Sequence, residues 1–254
     1  MSNNKETFGK TVGFVFAVCI VCAALVSVSA VQLKPRQVAN KLLDKQTLVL
    51  EAAGLQDKAA GNIVATYNKY VEARMIDLET GKFVEGNPDL FEERRNARDP
   101  KKSEKLANDP AGINRQANEA VIYLVHDDAG KVASIVLPIV GSGLWDLMYG
   151  YVGLEADLNT VKNVVYSDHK ETPGLGAEVM NPKWKALWPG KRIYNGKGEP
   201  VVNLVKGGAD ANDVHGVDAL SGATLTSNGV TRTLQFWFGE QGYKPFIAAN
   251  RGSL

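Results

Sequence analysis

The residues best suited to chemistry form a short run of small and hydroxyl-bearing side chains at positions 218–228. A strand-like segment precedes this run and a helix-like segment follows it, so the hydroxyls of Ser221 and Thr224 lie near the beginning of a helix. Gly222 and Ala223 separate them. A helix N-terminus presents unpaired N–H groups and the positive end of the helix dipole, which together favour a phosphate. The alternative is that Ser221 or Thr224 only caps the helix, because both residue types are common there.

A glycine-containing turn at 141–146 follows a very apolar strand-like segment. Glycines let the backbone approach a neighbour closely, and Trp145, preceded by Leu144, offers a flat and polarizable face. We interpret Leu144 and Trp145 as candidate contacts of a bound aromatic ligand. The alternative is an ordinary strand-ending turn whose tryptophan lies in the core.

A second loop, at residues 169–176, contains one proline and two glycines that fix a rigid bend. The bend displays the side chains of Glu171 and Thr172 and the N–H groups of Leu175 and Gly176. Such a loop suits a planar ring that has donors and acceptors along one edge and an apolar opposite end. The histidine that begins the loop could instead join Glu171 in a metal site, but the pattern offers no third ligand.

These motifs resemble those of the FMN-binding domain family. Asp-x-x-Ser-Gly-Ala-Thr at 218–224 resembles the flavinylation motif of that family. His-x-Glu-Thr-Pro-Gly-Leu-Gly at 169–176 and Gly-x-Gly-Leu-Trp at 141–145 resemble two further sequences that recur in its members. The resemblance extends over essentially the whole chain. It implies that FMN is bound covalently, through a phosphoester to Thr224.

The resemblance also implies a function and partners. It suggests an electron-carrying subunit of a bacterial membrane complex that moves electrons from NADH to ubiquinone and exports sodium. A flavin transferase would install the FMN from FAD. We therefore predict a one-electron relay that works with the other subunits, and not an independent catalyst. Lys206, at the end of a strand-like segment, would neutralise the phosphate or the reduced flavin; a solvated lysine is the alternative.

Two other functions remain open at this level. The Rnf electron-transport complex contains a flavoprotein subunit with the same kind of domain, anchor and flavin attachment. From a different class, the chain could be a membrane-tethered binding or scaffolding module without redox chemistry, in which the Ser-Gly-Ala-Thr sequence is only a helix cap.

Composition excludes several classes of protein. The chain has 254 residues, of which 44% are hydrophobic, which is enough for one sizeable core. A net charge of +1 gives no broad basic field, so we expect no nucleic-acid partner. Both cysteines, Cys19 and Cys22, lie inside the N-terminal apolar run. The rest of the chain therefore has none for a disulfide or a nucleophile.

The segment Val12–Ala30 has no charged residue and, as a helix of ~28 Å, matches the ~30 Å core of a bilayer. We predict an uncleaved transmembrane helix, which the resemblance places in the bacterial inner membrane; a cleaved signal sequence is the alternative. Two lysines precede the helix, and four basic residues follow it closely. Charge counting alone would put the large domain in the cytoplasm, but long domains cross the membrane largely regardless of local charge. The resemblance implies a periplasmic domain.

Beyond the apolar run, periodicity predicts helices over Lys34–Ala53 and Ala59–Tyr70 and a strand over Val71–Leu78 that ends in a turn at 79–82. The charged stretch 92–109 lacks apolar periodicity. We interpret it as a solvated loop or a surface helix.

From Glu119 onward, strand-like segments alternate with tight turns. The predicted strands are Ala120–Val125, Val132–Val140, Tyr149–Leu154, Val161–Tyr166, Lys191–Tyr194 and Val201–Lys206. A helix then extends to about Phe238. Because hairpin connections outnumber strand–helix–strand units, we predict an α+β fold with a mostly antiparallel sheet and packed helices, preceded by one transmembrane helix.

This pattern predicts four parts along the chain. They are a cytoplasmic tail at 1–11, the transmembrane helix at 12–31, a helical and mixed membrane-proximal part at 32–118, and an FMN-binding domain at 119–254.

Overall fold

The computed structural model describes residues 8–252, so most of the predicted cytoplasmic tail lies outside the described residues. The first element is helix α1, Phe8–Ala52, which is long and apolar enough to cross a membrane. The sequence predicted two separate helices here, and that prediction is wrong: the segment predicted as the second helix continues the first, apolar one through Pro35 to Ala52. Proline removes one backbone donor, but good helix formers on its C-terminal side keep the helix continuous.

The chain divides at Asp44 and Lys45 into two units, and the second contains the end of α1 and all later elements. Its strands are β1 Val71–Asp77, β2 Phe83–Val84, β3 Ser103–Lys105, β4 Arg115–Ala117, β5 Glu119–His126, β6 Val132–Ser142, β7 Leu147–Glu155, β8 Val161–Asp168, β9 Asn203–Val205 and β10 Gly216–Asp218. Its remaining helices are α2 Gln56–Ala59, α3 Ile63–Tyr70, α4 Glu93–Arg98, α5 Pro182–Lys185, α6 Thr224–Trp237 and α7 Lys244–Asn250, with a 3-10 helix at Gly176–Met180.

One six-stranded antiparallel sheet, in the order β2-β1-β5-β6-β7-β8, forms the framework of the second unit. The hairpin predicted between β5 and β6 is present. Its turn is closed by the Asp127 N–H, which donates to the Lys131 carbonyl at 2.8 Å. Two pairs of short strands, β3 with β4 and β9 with β10, lie outside this sheet. The predicted α+β fold with a mostly antiparallel sheet is confirmed.

Helices cover both faces of the sheet because its long strands are apolar on both. On one face α6 packs through Val230 and Leu234, which are completely buried with the sheet residues Ile135 and Leu137. On the other face the end of α1 packs over β7. Gly153 faces the Ala52 carbonyl so closely that any Cβ at this position would overlap it. The close approach therefore depends on a residue without a side chain.

The charged stretch predicted as a solvated loop or a surface helix forms α4 and then β3, which pairs with β4. Helix α4 is anchored to the sheet by Arg94. Its guanidinium lies 3.6 Å from the centre of the Tyr149 ring and donates to Asp168 at 2.6 Å. Arg94 thus links α4 to β7 and β8, because a long polar side chain can cover apolar surface with its stem.

Three further secondary-structure predictions need correction. The helix predicted over Ala59–Tyr70 is divided, because Asn62 begins α3 by accepting the N–H of Ala65 at 3.0 Å. Lys191–Tyr194 forms only isolated bridges, to Thr160 and to Pro200. The strand predicted over Val201–Lys206 is shorter than expected. Only Asn203–Val205, which form β9, pair with another strand, and they pair in parallel with β10.

The sheet takes strands from both sides of residue 118, since β1 pairs with β5 over seven residue pairs. The membrane-proximal part and the FMN-binding part therefore share a sheet, and the division between them at 118 stays a prediction.

Helix α4 generates a prediction about pH. Burial raises the pKa of the Glu93 carboxyl to about 7, although Arg94 and Lys45 nearby act in the opposite direction. Folding then takes up a proton between the unfolded pKa and about 7, so the free energy of unfolding falls as the pH rises through this window. In the Glu93→Gln variant we expect this fall to be smaller by about 1–2 kcal/mol between pH 5 and pH 8, measured by urea unfolding. An identical pH dependence in both proteins would contradict the assignment.

Candidate functional site

Thr224 is the first residue of α6, and its side chain is exposed. The residue before it, Ala223, makes no capping hydrogen bond through its side chain. The N-cap position is thus Ala223 and not Ser221 or Thr224, while a ligand role for these two hydroxyls stays a prediction. The start of α6 is held instead by Ser227. Its buried hydroxyl donates to the Ala223 carbonyl and accepts the Leu220 N–H, both at 3.0 Å.

The turn that leads into α6 requires glycine. Gly222 has a φ of +71°, in the left-handed region that residues with a Cβ adopt only with strain. A Cβ at this position would also lie 3.0 Å from Cδ2 of Leu175. The loop at 169–176 therefore touches the turn that presents Thr224, which brings together two of the motifs singled out in the sequence.

The buried carboxylate of Glu171 joins the third motif to these two. One oxygen, Oε1, accepts the N–H groups of Leu144 and Trp145 at 2.9 and 3.1 Å. The other, Oε2, accepts the hydroxyl of Thr226 on α6 at 2.5 Å. With 5% of its surface exposed, Glu171 is buried among these donors, and its assignment to the flavin stays a prediction. Cβ atoms at Gly143 and Gly176 would overlap the carboxylate, so both glycines make room for it.

Helix α6 also lies very close to the sheet at the level of the site. Cβ atoms at Gly141 on β6 and Gly229 on α6 would overlap Thr233 and the Ser142 carbonyl, respectively. This close packing fixes the position of the first turn of α6 relative to the loop at 141–146.

Four large apolar side chains around Thr224 are exposed, although such residues are usually buried. They are Leu144 at 48%, Trp145 at 67%, Leu175 at 42% and Leu225 at 59% exposure. The indole N–H of Trp145 donates to the Thr172 hydroxyl at 3.2 Å, which orients the ring. Leu225 was not predicted, because an apolar residue one position after the hydroxyl gives no periodic signal.

Lys206 is exposed at the end of β9, next to the residue pair Val205 and Asp218. Within residues 8–252 it makes no side-chain hydrogen bond and no ion pair. Its assignment to the phosphate stays a prediction.

Ion pairs flank the two loops, and no sequence signal indicated their pairing. Lys170 pairs with Asp146, so one side chain from each loop meets at the protein surface. This contact, together with the Leu147 N–H, lowers the pKa of the Asp146 carboxyl. Arg94 and Asp168 form the second pair, at the end of β8 where the second loop begins. Both pairs are exposed, so their role is to orient the loops more than to stabilise the fold.

Residues 143–239 match the FMN-binding domain family. The matched range contains all three motifs, except the first two residues of the Gly-x-Gly-Leu-Trp sequence. The fold and the site thus define an FMN-binding domain on a chain whose first helix can cross a membrane.

Relatives that match almost the whole chain identify the family more specifically than the domain match does. The chain is 45% identical to the C subunit of the Na(+)-translocating NADH-quinone reductase of Vibrio alginolyticus, over 99% of this chain and 98% of that protein. It is also 45% identical to the corresponding protein of Yersinia pestis, over 96% of this chain and 93% of the relative. This chain belongs to the NqrC family, the C subunits of the Na(+)-translocating NADH-quinone reductase.

Solved structures agree with this assignment. The crystal structure of Shewanella oneidensis NqrC is 42% identical and superposes with a TM-score of 0.80, over 84% of this chain and 100% of that chain. The corresponding C subunit from Parabacteroides distasonis is 27% identical, with a TM-score of 0.66 over 85% of this chain and 96% of that chain.

The Glu171 contacts generate a prediction about stability. Glu171→Ala leaves two partly buried N–H groups and one buried hydroxyl without their acceptor, so we expect a loss of about 2–5 kcal/mol in the free energy of unfolding. Glu171→Gln keeps an amide oxygen for the two N–H groups and should lose less. The control is Glu79→Ala, which removes an exposed carboxylate. Urea unfolding measures all three, and equal effects of Glu171→Ala and Glu79→Ala would contradict the role of Glu171.

Proposed function

We propose that this chain carries FMN as a phosphoester on Oγ1 of Thr224 and relays electrons within a sodium-translocating NADH-quinone reductase. The observation that supports the proposal most directly is the exposed hydroxyl of Thr224 at the first residue of α6. The named relatives are components of this reductase and not of the Rnf complex, which makes the Rnf alternative less attractive.

The residues around Thr224 suit both ends of FMN. The first turn of α6 has no side-chain cap, so its N–H groups and the helix dipole are available to a phosphate. The exposed apolar side chains of Leu144, Trp145, Leu175 and Leu225 suit an aromatic ring system. Thr172 and the Gly176 backbone belong to the loop beside this surface. Glu171 then acts as a positioning residue, because its contacts fix the loop that contains Trp145.

The attachment is a group transfer that a flavin transferase would catalyse. The Thr224 hydroxyl oxygen forms a bond to the flavin-side phosphorus of FAD, and the bond from that phosphorus to the bridging oxygen breaks. AMP leaves with the bridging oxygen, and the hydroxyl proton goes to solvent or to a base of the transferase. The exposure of Thr224 is what a second protein needs to reach this oxygen.

When bound, FMN supplies the one-electron redox chemistry, and this chain supplies attachment, orientation and electrostatics. A tethered cofactor makes its further contacts intramolecularly, so a shallow and partly exposed surface is sufficient. Such a surface also leaves room for the neighbouring redox subunits to approach, which fits a relay better than a substrate-binding enzyme.

Covalent attachment predicts a fluorescent band on a denaturing gel. When the chain is produced with the transferase, we expect flavin fluorescence to stay with the unfolded protein and to be lost completely in Thr224→Ala. Thr80→Ala, which removes another exposed hydroxyl, should keep it. Mass spectrometry of the tryptic peptide 207–232 should show the added mass of FMN less one water, with fragments that place it on Thr224.

The outcomes separate the candidate functions. A membrane-tethered scaffold would give no fluorescent band in either protein, although it would fold normally by circular dichroism. Fluorescence that persists in Thr224→Ala would place the flavin elsewhere.

We propose that α1 anchors the chain in the bacterial inner membrane with the second unit in the periplasm. In a chain without Cys19 and Cys22, the exposed Lys197 replaced by cysteine should react with a membrane-impermeant maleimide in intact spheroplasts. The same variant in inverted membrane vesicles should react only after the vesicles are opened. The reverse pattern would place the domain in the cytoplasm.

A further inference from the structure

Helix α5 is bonded to the segment that continues the loop at 169–176. The 3-10 helix Gly176–Met180 follows that loop, and α5 begins two residues later. Asn181 lies between them. Its side-chain oxygen accepts the Lys183 N–H at 2.9 Å, and its side-chain nitrogen donates to Oε2 of Glu178 at 2.5 Å. Helix α5 is therefore held to the 3-10 helix by side-chain bonds as well as by the chain itself.

A second contact joins α5 to the end of α1. The Lys185 ammonium donates to Oε1 of Glu51 and forms an ion pair with it. Only 17% and 19% of these side chains are exposed, so solvent screens this pair much less than the exposed pairs that flank the two loops. The Glu51 carbonyl also accepts a side-chain N–H of Asn163 at 3.2 Å. Residues 45–52 belong to the second unit, so this end of α1 is part of the folded domain.

A third contact joins α5 to the turn that presents Thr224. Trp184, next to Lys185 in the chain, donates its indole N–H to the Asp218 carbonyl at 2.9 Å. Trp184 is buried and packs edge-on against the ring of Trp188, with 5.4 Å between the ring centres. Asp218 begins the Asp-x-x-Ser-Gly-Ala-Thr motif, whose last residue is Thr224. The indole is thus bonded to the first residue of that motif.

We propose that Lys185 and Trp184 are positioning residues that make α5 a strut between the end of α1 and the turn that presents Thr224. The two contacts come from neighbouring residues of a helix of four residues. A displacement of Glu51 therefore also displaces the indole and the Asp218 carbonyl. Chains of hydrogen bonds and ion pairs between rigid elements are the contacts that carry such coupling.

This inference deepens the proposed function and rests on it for the role of Thr224 as the attachment point of the flavin. An electron relay that works with fixed partners needs its redox group in a reproducible position, which supporting contacts behind the site provide. The strut provides this by tying the attachment turn to residues 45–52 of α1. The contacts themselves belong to the chain with or without flavin, so they can be tested in its absence.

Hydrogen exchange of the full chain in dodecyl maltoside micelles, followed by mass spectrometry, measures local opening of the turn at 218–224. In Lys185→Met we expect these amides to exchange about tenfold faster, a factor that corresponds to the loss of one hydrogen bond to a charged group. Strands β5 and β6 serve as the internal reference. Unchanged exchange at 218–224, or the same acceleration in β5 and β6, would overturn the proposal.

A double variant tests whether the two contacts form one path. Trp184→Phe keeps an aromatic ring and removes the indole N–H, so it should accelerate exchange at 218–224 by itself. Lys185→Met acts on the turn only through Trp184. Adding it to Trp184→Phe should therefore accelerate exchange at 218–224 no further. Multiplied effects of the two substitutions would show separate routes and contradict the strut.

Two variants control for the change in charge. Lys244→Met removes a different ion pair, the 2.7 Å contact of Lys244 with Glu240, and changes the net charge equally. It should leave exchange at 218–224 unchanged. Lys185→Arg keeps a cation beside Glu51 and should exchange at nearly the rate of the unaltered chain. Acceleration in Lys244→Met, or equal acceleration in Lys185→Arg and Lys185→Met, would exclude Lys185 from the positioning role.

The outcome for the strut is separable from the outcome for flavin attachment. A fluorescent band on the denaturing gel together with unchanged exchange at 218–224 would retain the proposed function and reject the strut. Accelerated exchange in Lys185→Met without a fluorescent band in any of the proteins would retain the strut and reject the covalent flavin.

Discussion

The Glu171 carboxylate is the interaction on which the rest of the site depends. Its two oxygens receive two backbone N–H groups from one loop and a hydroxyl from α6, while its own backbone belongs to a second loop. A buried carboxylate without these donors would be costly, so the three segments stabilise it only when they are assembled together. The geometry of the site is thus cooperative: no single segment can shift without leaving polar atoms unpaired.

Much of the fold follows from local sequence signals. The hairpin between β5 and β6 has a turn with a favourable sequence, and α6 has a clear apolar stripe that includes Val230 and Leu234. The continuity of α1 through Pro35 was missed because a proline usually ends a helix. The segment Lys191–Tyr194 looks like a strand but finds only isolated partners, since pairing depends on what the chain brings beside it.

The chemistry of the site was less accessible from the sequence than its location. The motifs identified Thr224 and the two loops, because their residue types and spacing are distinctive. The inward orientation of Glu171 could not be predicted, since a carboxylate between a histidine and a proline-glycine turn looks solvent-exposed. Its partner Thr226 is 55 residues away along the chain. The ion pair from Arg94 spans 74 residues, and only the folded chain brings such groups together.

The glycines that let α6 approach the sheet divide the surroundings of Thr224 into two regions with different tolerance to substitution. Toward the sheet, at Gly141 and Gly229, even one added carbon collides with a neighbour, so variation there displaces the whole helix. Toward solvent, the side chains of Leu144 and Leu225 are about half exposed, so they pack against few neighbours. Natural variation and laboratory redesign can therefore adjust the polarity around Thr224 through these outer residues, while the backbone that positions the threonine stays the same.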